Sequence, residues 1–171
     1  DAQEDEPNLN ALEIAVEALT VSSGAEGMFL TEADALTIQE VSTNIERVDE
    51  TGGVAANISD SQEDLRTSGS GDIILETGGT LSITEGTDDG DGDTLGVKAA
   101  GSGNILLDVS GGDLEVQSGI TAIDGHISLI SSNSILQSIN GDINSAGNID
   151  LQADADIIMG DDGEGKGAVS R

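Results

Sequence analysis

Four aspartates in the insertion at 85–94, EGTDDGDGDT, are the residues of this sequence best placed for chemistry. Carboxylates that alternate along a Gly-rich loop can wrap a hard cation such as Ca²⁺, which takes roughly six to eight oxygen ligands. The loop matches three acidic positions of an EF-hand but lacks that motif's central glycine and final glutamate. Ca²⁺ is therefore a candidate ligand and not a required cofactor, and a solvated acidic turn is the alternative interpretation. The candidate metal ligands are Asp88, Asp89, Asp91 and Asp93.

The single histidine, His126, belongs to a second set of polar residues that recur at one position of a repeat. Each member follows a glycine and precedes an alternating run of aliphatic residues. This equivalence favours a stacked turn position, with hydrogen bonds running from repeat to repeat, over a metal ligand or a general base. The predicted polar ladder consists of Asp72, Asn104, His126 and Asn148.

These polar residues are positioned by a repeat of 22 residues, which is clearest between positions 103 and 159. Isoleucines recur at this step, as do leucines two residues further along. Within each unit the aliphatic residues alternate with polar ones, which is the period of a strand and not of a helix. The predicted core ladder comprises Ile73, Leu75, Ile105, Leu107, Ile127, Leu129, Ile135, Ile149, Leu151 and Ile157.

One such unit cannot fold alone. Its few inward aliphatic side chains each contribute roughly 1.5–3 kcal/mol on burial, whereas each ordered residue costs about 1–2 kcal/mol of backbone entropy. Stacking covers the open faces of each unit and pairs each strand with its equivalents above and below. The sequence therefore predicts an all-β, single-chain parallel β-helix with coils of about 22 residues and three short strands per coil.

The chain divides into an acidic segment at 1–22, which supplies a cap or the first strands, and a parallel β-helix at 23–171. Residues 11–21 fit one face of a capping helix, and they fit short strands equally well. Polar inserted loops are expected at 59–70 and 85–94.

A degenerate coil is expected between Leu30 and Leu75, because these two residues lie 45 apart, about two periods. The apolar residues available to build it are Ile45, Val48, Val54 and Ile58.

The net charge of the chain limits the classes of binding partner and the cellular location that we expect for it. The 171 residues carry a formal charge of −29, with only five Lys and Arg. Nucleic acid is excluded, because its binding requires clustered basic residues, and an anionic membrane surface is disfavoured for the same reason. No apolar run approaches the length of a membrane span. Self-repulsion of this size favours an extracellular or cell-surface setting, where salt and divalent cations screen it.

Catalysis is not expected of this chain. Carboxylates are so abundant that pairs of them carry no information about glycoside cleavage, which needs two in a defined geometry. Phe29 is the only aromatic residue, so stacking platforms for sugar rings are missing. Phosphate-binding loops and nucleophile elbows are also absent from the sequence.

Two segments, GMFLTEADALTIQEV at 27–41 and GDIILETGGTLSITEGTDDGDGDTLGV at 71–97, resemble the repeats of giant secreted bacterial surface proteins. These are the filamentous-haemagglutinin-like β-helical adhesins and related large repetitive proteins. The resemblance covers roughly 26–159. It implies an extracellular protein with an adhesive, matrix or shaft role.

We therefore expect a structural protein: a rigid segment or subunit of an extracellular fibre or adhesin stalk. Its partners would be further copies stacked head-to-tail on the open coil ends, or neighbouring repeats of a longer chain. The alternative is a monomeric, Ca²⁺-dependent module that binds a glycan or a cationic ligand.

Overall fold

The computed structural model describes residues 11–86, 93–160 and 168–170. For residues 55–60 and 168–170 the description covers the backbone only. Every regular element within these ranges is a strand. In chain order the strands are β1 (Leu12–Ile14), β2 (Ala18–Leu19), β3 (Val21–Ser23), β4 (Met28–Glu32), β5 (Leu36–Ile38), β6 (Val41–Val48), β7 (Val54–Gln62), β8 (Leu65–Thr67), β9 (Ile73–Thr77), β10 (Leu81–Ile83), β11 (Leu95–Ala99), β12 (Ile105–Val109), β13 (Leu114–Val116), β14 (Gly119–Ala122), β15 (Ile127–Ser131), β16 (Ile135–Gln137), β17 (Ile143–Ser145), β18 (Ile149–Ala153), β19 (Ile157–Ile158) and β20 (Ala168–Ser170).

The strands form three six-stranded parallel sheets and one two-stranded antiparallel sheet. Sheet A has the order β1-β4-β9-β12-β15-β18, sheet B has β2-β5-β10-β13-β16-β19, and sheet C has β3-β8-β11-β14-β17-β20. The chain visits A, B and C in turn, so each coil gives one strand to each sheet and six coils stack. The predicted parallel β-helix is confirmed.

Alternation along the strands places every second side chain in the core. In sheet A, Ile105 pairs with Ile73 on one side and Ile127 on the other, and Ile127 pairs with Ile149. The leucines two residues later form a parallel column: Leu75, Leu107, Leu129 and Leu151.

Burial along these columns depends on the coil. The inward residues of the middle coils are fully buried, whereas Ile149 and Leu151 in the last coil are partly buried. In sheet B, Ile157 continues the column of buried Ile135, yet 44% of its surface is exposed. The last coil thus contributes the same inward residues as the others but has a neighbour on one side only.

The expected degenerate coil between Leu30 and Leu75 is a wrong prediction. Strands β6 and β7 pair with each other as an antiparallel hairpin, with a register irregularity between Ile45 and Arg47. The side chains of Ile45, Val48 and Val54 are exposed and do not enter the core. The segment at 41–62 therefore projects from the β-helix as an arm between β5 and β8.

The loop predicted at 59–70 is also wrong in part. Its first residues complete β7, and Leu65–Thr67 forms β8, which pairs with β3 and β11 in sheet C. Leu65 is fully buried. The insertion at 85–94 lies between β10 and β11 as expected, although residues 87–92 are outside the described ranges.

The N-terminal residues settle the choice between helix and strand. Strands β1, β2 and β3 pair with the second coil and so form the first coil of the same β-helix. The β-helix therefore starts before position 23, and no domain boundary separates 12–22 from the remainder. Within the described ranges, no helix is long and apolar enough to cross a membrane.

Candidate functional site

The predicted polar ladder is a chain of hydrogen bonds at the turn between sheets C and A. The backbone N–H of Asn104 donates to Oδ1 of Asp72 (2.8 Å), and the N–H of His126 donates to Oδ1 of Asn104 (3.0 Å). The N–H of Asn148 donates to Nδ1 of His126 (2.9 Å). The side chains of Asp72, Asn104 and His126 thus each accept the backbone hydrogen of the next coil, which would otherwise be left without a partner at the strand start.

A column of glycines makes this ladder sterically feasible. Gly71, Gly103, Gly125 and Gly147 each stand one residue before a ladder position. A Cβ added at Gly103 would overlap the carbonyl oxygen of Gly71, and one at Gly125 would overlap that of Gly103. Successive turns therefore approach so closely that no side chain fits between them.

This geometry assigns His126 a structural role. Its Nδ1 accepts the hydrogen bond from the backbone N–H of Asn148, so this geometry places the ring N–H at Nε2. Its neighbours along the ladder are amides and a carboxylate that serve the same purpose. The arrangement holds adjacent coils in register and offers no nucleophile–base pair.

The acidic insertion is represented in the described ranges by Asp93, because Asp88, Asp89 and Asp91 fall outside them. Nζ of Lys98 donates to Oδ2 of Asp93 (2.7 Å) in an ion pair. The backbone N–H of Leu95 donates to Oδ1 (3.1 Å). Both oxygens of this candidate metal ligand therefore already accept hydrogen bonds from the chain.

The pKa of Asp93 reflects these partners. Burial by itself raises the pKa of the carboxyl, but the hydrogen bonds from Lys98 and Leu95 lower it. The positive charges of Lys98 and Arg66 act in the same direction, and the net result is a lowered pKa. Lys98 and Arg66 are register partners on sheet C, so two of the five basic residues of the chain meet beside Asp93.

A pair of stacked carboxylates was not anticipated from the sequence. Glu76 of β9 and Asp108 of β12 are register partners on the outer face of sheet A, one coil apart. Burial raises the pKa of Glu76, and the charge of Asp108 raises it further; burial also raises the pKa of Asp108. A signal was available, because the step of 32 residues from Ile73 to Ile105 also relates these two acids.

Glu32 is a second feature that sequence analysis missed. It occupies an inward position of β4, with 3% of its surface exposed, where the next coils place Thr77 and Val109. Oε2 accepts from the backbone N–H of Val16 (2.8 Å) and Oε1 from that of Asp34 (3.3 Å). The buried carboxylate is thus bound by the backbone around the turn after β1 and the turn after β4.

Among the residues that the structure describes, no group of three or more His, Asp or Glu side chains could hold a metal ion. Comparison of the chain with family models, with curated proteins and with solved structures finds no match.

Proposed function

We propose that this chain is a structural protein, a rigid β-helical segment or subunit of an extracellular fibre or adhesin stalk. The observation that carries the proposal is the continuity of the inward columns through all six coils. Each inner coil is paired on both sides, so bending the stack or exposing one coil to a protease requires breaking contacts with two neighbours. A shaft needs this property, whereas catalysis and ligand binding do not.

The large negative charge of the chain supports the extracellular location in this proposal. A formal charge of −29 repels itself within a compact stack. The ionic strength and divalent cations of an extracellular medium screen that repulsion. The resemblance of the repeats to secreted adhesins supports the same location.

The two ends of the described stack are suited to further coils. At one end the inward residue Leu12 is 64% exposed, and at the other the inward residue Ile157 is 44% exposed. Within the described ranges, no strand pairs with the outer edges of β1 and β18. Unpaired edges of this kind favour strand addition. Head-to-tail stacking of copies, or neighbouring repeats of a longer chain, would cover both ends.

Glu17 limits how tightly copies can stack. It precedes Ala18, which pairs with Thr37, so Glu17 stands in line with the apolar column that begins at Leu36. A copy stacked in register would bring Ile157 against this carboxylate. Burying an unpaired carboxylate costs several kcal/mol, so we expect end-to-end contacts to be weak in the unmodified chain and stronger in Glu17→Leu.

Sedimentation velocity and electron microscopy test the proposal across a range of protein concentrations. We expect rods whose lengths are multiples of the single particle, with more of the long rods in Glu17→Leu. Leu151→Asp should abolish them, because residue 151 faces the core of the last coil. Gln152→Asp is the matched control, since it adds the same charge on the exposed outer side of the same strand.

Circular dichroism shows whether each variant retains its β-structure. A particle that stays single at every concentration, in the unmodified chain and in Glu17→Leu alike, would contradict the stacking of copies.

A further inference from the structure

The outer face of sheet A carries a column of large apolar side chains. Phe29, Ile74 and Leu106 are register partners on β4, β9 and β12. Phe29, the only aromatic residue of the chain, is 41% exposed, and the other two are half-buried. The column spans three coils, about 10 Å at a strand spacing of roughly 4.8 Å, and then ends at Ser128 of β15.

A column of acids runs beside this apolar column. Glu76 and Asp108 lie two residues after Ile74 and Leu106, on the same face and about 7 Å away along the strands. Within the described part of the chain, neither carboxylate receives a hydrogen bond or an ion pair. A groove of about 290 Å³ adjoins the pair, and Thr31 and Ser110 also line it.

We propose that this face, the apolar column with its adjacent acid pair, is a docking surface for a cationic amphipathic helix of a partner protein. The apolar side of the helix would cover Phe29, Ile74 and Leu106, and its Lys or Arg residues would pair with Glu76 and Asp108. Opposite charges placed here would relieve the repulsion between two acids that are one coil apart.

The dimensions favour a helix over an extended strand. Successive turns of a helix laid along the stack advance by about 5.4 Å, close to the coil spacing of roughly 4.8 Å. Each turn can therefore contact one coil over the three coils of the column. Alternate residues of an extended strand advance by about 6.6–6.8 Å and lose this match after one step.

Charge excludes the other occupants of this face. A second copy of the chain would bring its own acid pair and a further charge of −29. Anionic lipid surfaces are repelled in the same way. The partner must therefore supply the basic residues that this chain, with five Lys and Arg, does not supply itself.

The test uses a fluorescent Leu/Lys peptide of about 18 residues, long enough to form a helix, with its leucines on one face. A scrambled peptide of equal composition, which has no apolar face, is the control. Binding is measured by fluorescence anisotropy at roughly 0.15 M ionic strength, where distant charges are screened. We expect the amphipathic peptide to bind at least about tenfold more tightly than the scrambled one.

Two pairs of variants locate the site. Ile74→Thr should weaken binding about tenfold, whereas Leu136→Thr, at an equivalent outward position on sheet B, should change it less than about twofold. The double variant Glu76→Gln/Asp108→Asn should also weaken binding about tenfold, and Asp124→Asn/Asp156→Asn, with the same net charge but at exposed positions outside the strands of sheet A, should not. Equal effects of the site and control variants, or equal binding of the two peptides, would overturn the proposal.

Discussion

Nδ1 of His126 accepts a hydrogen bond from the backbone N–H of Asn148 at 2.9 Å, across the junction of the fifth and sixth coils. The same position one coil earlier is Asn104, whose Oδ1 accepts from the N–H of His126 at 3.0 Å. An amide oxygen and an imidazole nitrogen therefore perform one task in adjacent coils. What this position requires is an acceptor directed towards the next coil.

His126→Asn should therefore be tolerated, because it keeps an acceptor of the kind found in the coil before. His126→Lys, which can only donate, should destabilise the chain by about 1 kcal/mol, the net worth of one hydrogen bond. Urea unfolding measures both changes. Imidazole nitrogen chemical shifts add an independent check, since this geometry requires the proton on Nε2; a proton on Nδ1 would contradict it.

Gly125→Ala should destabilise the stack by about 1–3 kcal/mol, the usual range for overpacking. The added methyl group would overlap the carbonyl oxygen of Gly103 in the preceding coil. The next nearest atoms, the carbonyl carbon of Gly103 and the nitrogen of Asn104, are also backbone, so no side-chain rotation can relieve the overlap. Gly24→Ala is the matched control, because nothing lies within 4 Å of a Cβ at that turn. Equal unfolding midpoints for the two variants would show that the turns can separate without cost.

Asp108→Asn should stabilise the chain at neutral pH. The pKa of Asp108 is raised in the fold by burial, and that of Glu76 by burial and by Asp108. An acid whose pKa is raised in the fold stabilises the folded state at pH values below its ordinary pKa, which is 3.8 for Asp108 and 4.5 for Glu76. This stabilisation is lost as the pH rises through the raised pKa of the folded state. The advantage of the variant should therefore be largest near pH 7 and shrink towards about pH 4.

Asp124→Asn is the control for this pH dependence, since it removes one charge at an exposed turn. Urea unfolding of both variants from about pH 4 to 7 separates local from overall electrostatics. Superimposable pH profiles for the two variants would mean that the repulsion between stacked acids is negligible.

Ca²⁺ and Mg²⁺ should raise the unfolding temperature equally at matched concentration. Both oxygens of Asp93 are engaged by Lys98 and Leu95, and both ions screen the charge of −29 alike. Calorimetry with either ion or with a chelator measures the difference. A rise that is specific to Ca²⁺ and saturates would instead support the Ca²⁺-dependent binding module, with Asp88, Asp89 and Asp91 as its ligands.

The fold could be predicted from the sequence because the coils of a β-helix place similar residues at a fixed spacing along the chain. Isoleucines at 105, 127 and 149 recur every 22 residues because each sits above the last in one column. The polar ladder was predictable for the same reason, since equivalent turns need equivalent acceptors. The structure was needed only to show which groups form the hydrogen bonds: a side chain of one coil accepts from the backbone N–H of the next coil.

The hairpin at 41–62 could not be distinguished from a coil by its residues. Ile45, Val48 and Val54 suit a buried strand as well as an exposed one, and a spacing of 45 between Leu30 and Leu75 accommodates either. Conversely, Leu65–Thr67 is mostly polar but is a core strand. A three-residue strand needs few apolar residues, because only alternate ones face inward.

The sequence by itself determined which residues stack, because a fixed period and strand alternation leave one register that buries the aliphatic side chains. The tertiary structure decided which polar groups that stacking traps. Glu32 is satisfied by the backbone of Val16 and Asp34, and Glu76 is exposed to the charge of a residue 32 positions away. The step from Ile73 to Ile105 relates Glu76 to Asp108, but how deeply each acid is buried and which backbone N–H it meets depend on distances between coils that this step does not contain.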